Sequence, residues 1–524
     1  MFLCVSISLS INAQELLPLS HQFQADLGFN GRGRRVKEYV FNIESVKPIV
    51  NPYLNHSGNI HKMYFDKRWF TRKLYRESFL EIKNKKQILY IDPIVDLRYG
   101  KEGGNSLYQN TRGYFIRGYI SEKLWFQTSF FENQARFPKY INSYIDSFAV
   151  VPGMINPKLF KTDAYDYAIA MGQISFSLNQ YYNVQFGQGK NFIGNGYRSL
   201  MLSDNTAPYL FLRNNFKWKK FEYTHIIASL QNTNLNNVLY APHDWYSGFQ
   251  KKTANFSYFS YKPTKNIEIG LFESCIFQIK DSISRFNVNY LNPIILSKTA
   301  QYGLSDENNC MIGLQITAKL PLNFIFYSQF VVDDIEFNHL FAKRMENKTA
   351  LQLGLKKQSS IFSHKVFCLV EYNSARPYTY AHSSPVQSYT HYNQSLAHPL
   401  GANFSEFIAI LRYRINRFSF NLHFNYANTG QDISGINYGH NPFQSDVMVY
   451  NGSLDINNLE QGQGIDTKIT HLNLSLNYLF NPKNRLEAFA LWHYRGIDIL
   501  GVKENTSFFT IGLRNNLWNN YFDF

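Results

Sequence analysis

The sequence predicts an all-β fold: a transmembrane antiparallel β-barrel of about 18 strands, preceded by a short helical N-terminal segment on the periplasmic side. Three observations predict it. First, Phe418-Ser-Phe-Asn-Leu-His-Phe-Asn-Tyr426 places an apolar residue at every second position with Ser, Asn or His between, and His471-Leu-Asn-Leu-Ser-Leu-Asn-Tyr-Leu-Phe480 repeats the pattern. That is a strand with one greasy face and one wet face. Second, the gaps between such segments alternate between a few residues and a few dozen, the parity of an outer-membrane barrel with both ends in the periplasm. Third, Phe (45) and Tyr (37) raise aromatics to 17% while charged residues stay at 17%, a composition that fits neither a disordered chain nor a helical membrane protein. No run after residue 20 approaches the roughly 18 uninterrupted apolar residues of a spanning helix.

Residues 1–13, MFLCVSISLSINA, form a short apolar run ending in a small residue, and read as a secretory signal peptide cleaved after Ala13. A buried first strand is the alternative. Residues 14–85 form a periplasmic segment with one amphipathic helix, in which Phe65, Trp69, Phe70, Leu74 and Ile82 share a face opposite basic residues. We expect it at the periplasmic mouth as a cap or partial plug, or else lying on the inner headgroup surface. Residues 86–524 supply the barrel, with strands expected at 86–98, 111–121, 122–131, 165–177, 180–188, 207–217, 220–230, 253–261, 265–276, 309–319, 322–333, 348–357, 364–374, 404–415, 416–428, 467–480, 485–495 and 506–516. A long connection is expected after every odd strand and a tight turn after every even one. The chain closes on Tyr521-Phe-Asp-Phe524, and a final aromatic resembles the terminal signal read by outer-membrane insertion machinery.

Lysine and arginine exceed acidic residues by 53 to 38, a net charge of +15. Such an excess invites an anionic partner, an acidic surface polysaccharide or the phosphates of lipopolysaccharide, and nucleic acid is not expected outside the cell. The plainer reading places Lys217, Lys219, Lys220, Lys251 and Lys252 at the headgroup level. After signal cleavage Cys275, Cys310 and Cys368 remain, an odd number scattered among apolar positions, so no disulfide framework is expected.

Two stretches carry candidate binding residues. In Gly187-Gln-Gly-Lys-Asn-Phe-Ile-Gly-Asn-Gly196 the glycines suit a loop folded against the barrel wall, because no helix and no Lys-Ser/Thr follow to make a phosphate loop. Lys190, Asn191, Asn195, Tyr197 and Arg198, followed by Ser203, Asp204 and Asn205, would then face the lumen. The second stretch, 376–404, lies in the long loop after the thirteenth strand, outside or folded into the extracellular mouth. Its Arg376, Tyr378, Tyr380, His382, Tyr389, His391, Tyr392, Asn393, His398 and Asn403 combine aromatic faces, neutral donors and acceptors and one guanidinium fork, the inventory for sugar hydroxyls and a uronate or sulfate. A self-packed lid is the competing reading. Histidines nine and seven residues apart match no zinc pattern, and no cofactor is expected. His398 near Ser405 and Glu406, and the cluster Asp333, Asp334 and Glu336, lack any catalytic arrangement, so no enzyme is expected.

The stretches Phe186–Thr206, Tyr290–Thr299, Glu371-Tyr-Asn-Ser-Ala-Arg-Pro-Tyr-Thr-Tyr-Ala-His382 and Leu396-Ala-His-Pro-Leu-Gly-Ala-Asn-Phe-Ser-Glu-Phe407 together resemble the Wzi-like capsule-assembly outer-membrane proteins, specifically the gliding-motility RemB-type branch. The resemblance runs from about residue 60 to the C-terminus. It implies an eighteen-stranded outer-membrane barrel with periplasmic helices that acts as a lectin for exported polysaccharide, with a role at the surface of a motile cell. It transfers no defined sugar site. Two other expectations stay open: an accessory subunit of a secretion or gliding complex, and a passive porin.

Overall fold

The computed structural model describes residues 14–18, 20–21, 38–42, 68–84, 87–120, 123–233, 249–278, 291–300, 308–334, 342–362, 364–433, 436–447 and 457–524. The expected signal peptide, residue Phe65 and Glu336 lie outside the described residues.

Eighteen long strands close into one antiparallel barrel. In chain order they are β1 (Gln87–Glu102), β2 (Asn105–Ile120), β3 (Leu124–Arg136), β4 (Ala164–Ser177), β5 (Tyr182–Gly189), β6 (Tyr209–Trp218), β7 (Phe221–Thr233), β8 (Phe249–Tyr261), β9 (Ile267–Gln278), β10 (Asn309–Lys319), β11 (Phe324–Asp334), β12 (Lys348–Ile361), β13 (His364–Ala375), β14 (Phe404–Ile415), β15 (Phe418–Gln431), β16 (Ile465–Asn481), β17 (Leu486–Ile499) and β18 (Val502–Asn515). Every segment expected from alternation overlaps one of them. Lipid offers no partner for backbone N–H and C=O groups, so the sheet must close on itself. The seam runs from Phe508↔Glu102 to Arg514↔Asp96 between β18 and β1. The lower part of β1, left without β18, pairs instead with the short strand Leu80–Lys83 in register Leu80↔Ile91 to Lys83↔Ile88.

Alternation decides which side chains see lipid. Along β14, Phe404, Glu406, Ile408 and Ile410 turn inward and are buried, while Phe407 faces out and is exposed. Ile269, Leu314, Ile316, Phe330, Leu353, Val370 and Ile511 are likewise exposed on other strands, an outward apolar band that suits acyl chains. At one end the connections are only two to five residues long, at 121–123, 178–181, 219–220, 262–266, 320–323, 362–363, 416–417 and 482–485. The opposite end carries the long connections.

Three expectations need correction. The first and last long-end connections are two-residue turns, Gly103-Gly104 and Leu500-Gly501, because β1, β2, β17 and β18 run past their alternating cores. Gly103, Leu500 and Gly501 take the positive φ that tight hairpins demand (56°, 51° and 87°). The helix expected through Ile82 covers only α1 (Trp69–Tyr75), since Leu80–Lys83 is drawn onto the open edge of β1. It sits at the short-turn rim, where the Asn481 amide donates to the Lys73 and Glu77 carbonyls and Tyr75 meets Phe480 edge-on; Trp69 and Phe70 remain exposed. Third, Cys275 and Cys310 form a disulfide on β9 and β10, with Cα atoms 4.1 Å apart. Register puts them opposite one another, which linear spacing does not reveal; Cys368 is the one free thiol among the described residues. Beyond the last strand, residues 516–524 form a tail. They turn into the lumen.

Candidate functional site

The two candidate stretches meet inside the barrel. The connection 190–208 between β5 and β6 and the connection 376–403 between β13 and β14 fold inward and dock on each other. Tyr380 Oη donates to the Leu200 carbonyl (2.9 Å), Tyr389 Oη to the Met201 carbonyl (2.6 Å), and Thr206 Oγ1 to the His391 carbonyl (3.0 Å). The Ser203 N–H reaches the Leu396 carbonyl at 2.8 Å. Ile193, Leu200, Met201, Tyr380, Tyr389 and Leu396 bury their side chains in one apolar cluster with inward residues of β7, β8 and β9. Tyr378, Tyr380 and Tyr392 all hold positive φ (64°, 74° and 52°), a left-handed backbone that bulky residues keep only when packing and hydrogen bonds over-determine it.

Inward polar groups of the strands satisfy the backbone of the 190–208 loop. Gln329 Oε1 accepts from the Leu200 N–H (2.9 Å), Gln352 Nε2 donates to the Arg198 carbonyl (3.0 Å), and Lys356 Nζ to the Asn195 carbonyl (2.7 Å). The Glu371 carboxylate accepts the N–H groups of Tyr197 (2.7 Å) and Arg198 (3.0 Å) and the Tyr327 hydroxyl (2.6 Å). This approach is why residue 196 is glycine: a Cβ there would stand 2.3 Å from Glu371 Oε2.

Arg198 is the centre of charge. Its Nη2 lies 3.1 Å from Glu406 Oε1 and 3.1 Å from Asp523 Oδ2, with every partner buried. Glu406 also takes His398 Nε2 at 2.6 Å and the Asn425 amide at 2.7 Å. Burial opposes the Arg198 charge, but Asp523 and Glu406 outweigh it and hold the guanidinium pKa above its ordinary value. Burial pushes His398 below the usual histidine range, and pushes His391 down to about 3 with the Lys252 charge adding to it. Burial likewise lowers Lys190 to about 8, against the pull of Asp204. His398 and Glu406 pair, but Ser405 occupies the opposite face of β14, so adjacency in sequence builds no triad.

Most candidate residues serve this plug and do not line an outward face. Tyr378 Oη donates to the Asn437 carbonyl (2.5 Å), the His391 Nδ1 accepts the Gln231 N–H (3.0 Å), and Asn393 Nδ2 reaches the Phe148 carbonyl (3.1 Å). Asn403 Nδ2 bonds the carbonyls of Gly430 and Gln463, each at 2.8 Å. Asn191 accepts from Arg213 (3.4 Å), Asn195 donates to Thr317 (2.7 Å), and Lys190 Nζ donates to the Gly153 carbonyl (2.5 Å). Of the two placements open to the 376–403 segment, outside or folded into the mouth, it takes the inward one: Tyr378, Tyr380, Tyr389, His391, Asn393, His398 and Asn403 are buried, because a loop so rich in apolar and hydrogen-bonding side chains gains more by packing inward. Arg376, His382 and Tyr392 stay partly exposed.

The other side of the lumen is hollow. A cavity of about 350 Å³ lies between β1–β4 and β14–β18. Arg98, Arg412, Asn421, Asn473, His493 and Trp518 are among its lining. The tail 516–524 crosses it. Trp518 stacks on Phe131 (5.2 Å), Asn519 and Tyr521 both donate to Asp204 (2.9 and 2.7 Å), and Asp523 closes on Arg198. The helix α2 (Lys139–Phe148) enters from the long-loop end, its Tyr140 donating to the Phe522 carbonyl (2.9 Å) and stacking on His493. Ser20 and His21, expected in the periplasmic segment, sit in this lumen too, with His21 Nε2 2.9 Å from the Tyr521 hydroxyl. Sequence reasoning passed over Glu371, Asp523, His423 and Gln329 as site residues. The polar residues at alternate inward positions of β11, β13, β14 and β15 are the signal that marks all but Asp523.

No family model matches the chain, and no curated protein does. Among solved structures it is similar to Wzi of Escherichia coli, an outer-membrane protein involved in group 1 capsule assembly and a carbohydrate-binding β-barrel, at 12% identity over 96% of this chain and 100% of that one, with a TM-score of 0.55. It also aligns with OprD of Pseudomonas aeruginosa at 11% identity over 81% of this chain and 94% of that one, with a TM-score of 0.42. At such identities the first likeness speaks for the fold alone, that of an outer-membrane β-barrel.

Proposed function

We propose that this barrel binds surface polysaccharide at the long-loop end and supports capsule assembly, adhesion or gliding, with an acidic glycan as the preferred partner. One observation carries the reading: two connections and the tail are locked together inside the lumen through buried hydrogen bonds and the Arg198 ion pairs. A barrel filled this way is built to hold a surface, and an open pore has no use for the Arg198 cluster. The carbohydrate binding of Wzi and the +15 charge of this chain add support. In this reading the plug is the scaffold, and Arg376, His382 and Tyr392 at its partly exposed edge meet sugar. Lipopolysaccharide and secretion or motility proteins are neighbours it would engage at the same end, and no catalysis is assigned.

A glycan array tests it. Retention of an acidic polysaccharide by the wild type, lost in Arg376→Ala combined with Tyr392→Ala, is the expected result; equal retention overturns the reading. A passive porin is the second reading, favoured by the hollow half of the lumen. Planar-bilayer recordings separate the two, because a porin gives steady single-channel steps and a plugged lectin does not.

A further inference from the structure

The outer wall of β7–β9 breaks the barrel's own rule. Phe256 on β8 packs against Tyr389 of the plug, so the even positions of β8 face inward and Asn255 and Ser257 face outward. Register carries the outward face across: Ser257 pairs with His225 on β7 and with Glu273 on β9. Where other strands present Leu314, Phe330 or Val370 to lipid, these three present His225, Asn255, Ser257 and Glu273, and all four are buried. They also lie deep. His225 is four residues from the short-turn end of β7 at Phe221. That is about 13 Å along a strand that rises roughly 3.3 Å per residue, inside an apolar band roughly 25 Å tall.

Residues 291–300, part of the connection between β9 and β10, lie against this wall. The Thr299 N–H and hydroxyl both donate to Glu273 Oε1 (3.2 and 2.9 Å), Lys298 Nζ stands 3.6 Å from Glu273 Oε2, and the Tyr223 hydroxyl donates to the Pro293 carbonyl. The Lys298 and Glu273 side chains are only 2% and 1% exposed. On the same stretch Leu291, Ile294 and Leu296 are exposed, Ile294 at 65%. The underside is therefore polar and paired, and the outer side is apolar and continues the band formed by Ile269, Leu314 and Ile316 on β9 and β10. The Cys275–Cys310 disulfide joins the two strands at the root of the connection.

We propose that residues 291–300 form a strap embedded in the membrane, with Leu291, Ile294 and Leu296 in contact with lipid acyl chains and the Lys298–Glu273 pair sealed beneath. An unpaired charge at this depth is costly, so each member of the pair justifies the other. Residues 291–300 of this long-end connection thereby become part of the lipid-facing surface.

The test is a nitroxide attached at Ile294→Cys in a Cys4→Ala, Cys368→Ala background, with the native disulfide retained, in full-length protein reconstituted into phospholipid vesicles. Collision rates with oxygen, which concentrates in acyl chains, and with a water-soluble nickel chelate are read together. The expected oxygen-to-nickel ratio equals that of a Leu314→Cys lipid-facing control and exceeds that of a Leu500→Cys control at an exposed turn. A ratio equal to the Leu500 control overturns the proposal in favour of a water-exposed loop. Low collision with both reagents overturns it in favour of a protein-covered site. Leu296→Cys provides the same reading should the Ile294 variant fail to fold.

Discussion

The two halves of the lumen are built from the same residue types and solve opposite problems. Toward β6–β14 the connections 190–208 and 376–403 fill the space, and their polar groups meet partners within the protein. Toward β1–β4 and β14–β18 the wall carries comparable Arg, Asn and His side chains, yet a cavity of about 350 Å³ remains, entered by the tail, α2 and the Ser20–His21 segment. Arg198 stands at the boundary, bonded to Glu406 of the wall and to Asp523 of the tail. Inward polarity alone therefore specifies neither a channel nor a plug. What matters is whether a connection returns through the barrel with carbonyls and hydroxyls placed to use that polarity.

The boundary between the halves is the most sensitive point. Arg198→Ala leaves Glu406 and Asp523 buried beside each other without their cation, a loss of about 3–5 kcal/mol for a buried pair stripped of one partner. Thermal melting in detergent should fall accordingly, and conductance steps absent from the wild type should emerge in planar bilayers. Unchanged melting would mean that the two halves are not joined there.

Acid should act next, and on the packed half. His391, His398 and His440 lie in lumenal connections and burial lowers the pKa of each, His391 to about 3. A released segment therefore binds protons at a pH where the docked one does not. Stability is fully present above the ordinary histidine value near 6.5 and is lost as pH falls below it, for His391 toward 3 at up to about 1.4 kcal/mol per pH unit, with His398 and His440 acting in the same direction. Limited proteolysis of 376–403 should accelerate across that window, and cleavage independent of pH would refute the docking chemistry.

Gly196→Ala sharpens the same side. Its added methyl meets Glu371 Oε2 at 2.3 Å, and overpacking of this kind costs about 1–3 kcal/mol. A urea midpoint shifted downward with unchanged slope is the expected observation. The smallest effect belongs to the hollow half: Asn421→Ala removes one hydrogen bond to Ser475 (3.0 Å) at the cavity wall and should change stability by about 1 kcal/mol or less. A loss there as large as that of Arg198→Ala would erase the distinction between the halves.

How much of this was legible in the sequence depends on the range of the interaction concerned. The strand Phe418–Gln431 announces itself in nine residues, because the pleat repeats every two positions and the two solvents on either side of the wall demand opposite side chains. The Gly194–Gly196 loop was readable as folded inward for a similar reason. His391 and Tyr389 were visible as unusual, yet their direction was not, since a tyrosine that stacks on sugar and one that caps a carbonyl in a plug look alike in a string of letters. Asp523 gave no local signal at all, and the Cys275–Cys310 bond depended on register across two strands.

Sequence alone therefore determined the barrel, its strand count, its two unlike ends and the two stretches that carry its unusual chemistry, since each follows from local periodicity or composition. Tertiary structure alone decided that those stretches lock together within the lumen, that the tail joins them, and that a polar wall lies under 291–300. These depend on contacts between residues far apart in the chain, where closure of the cylinder and cross-strand register choose the partners.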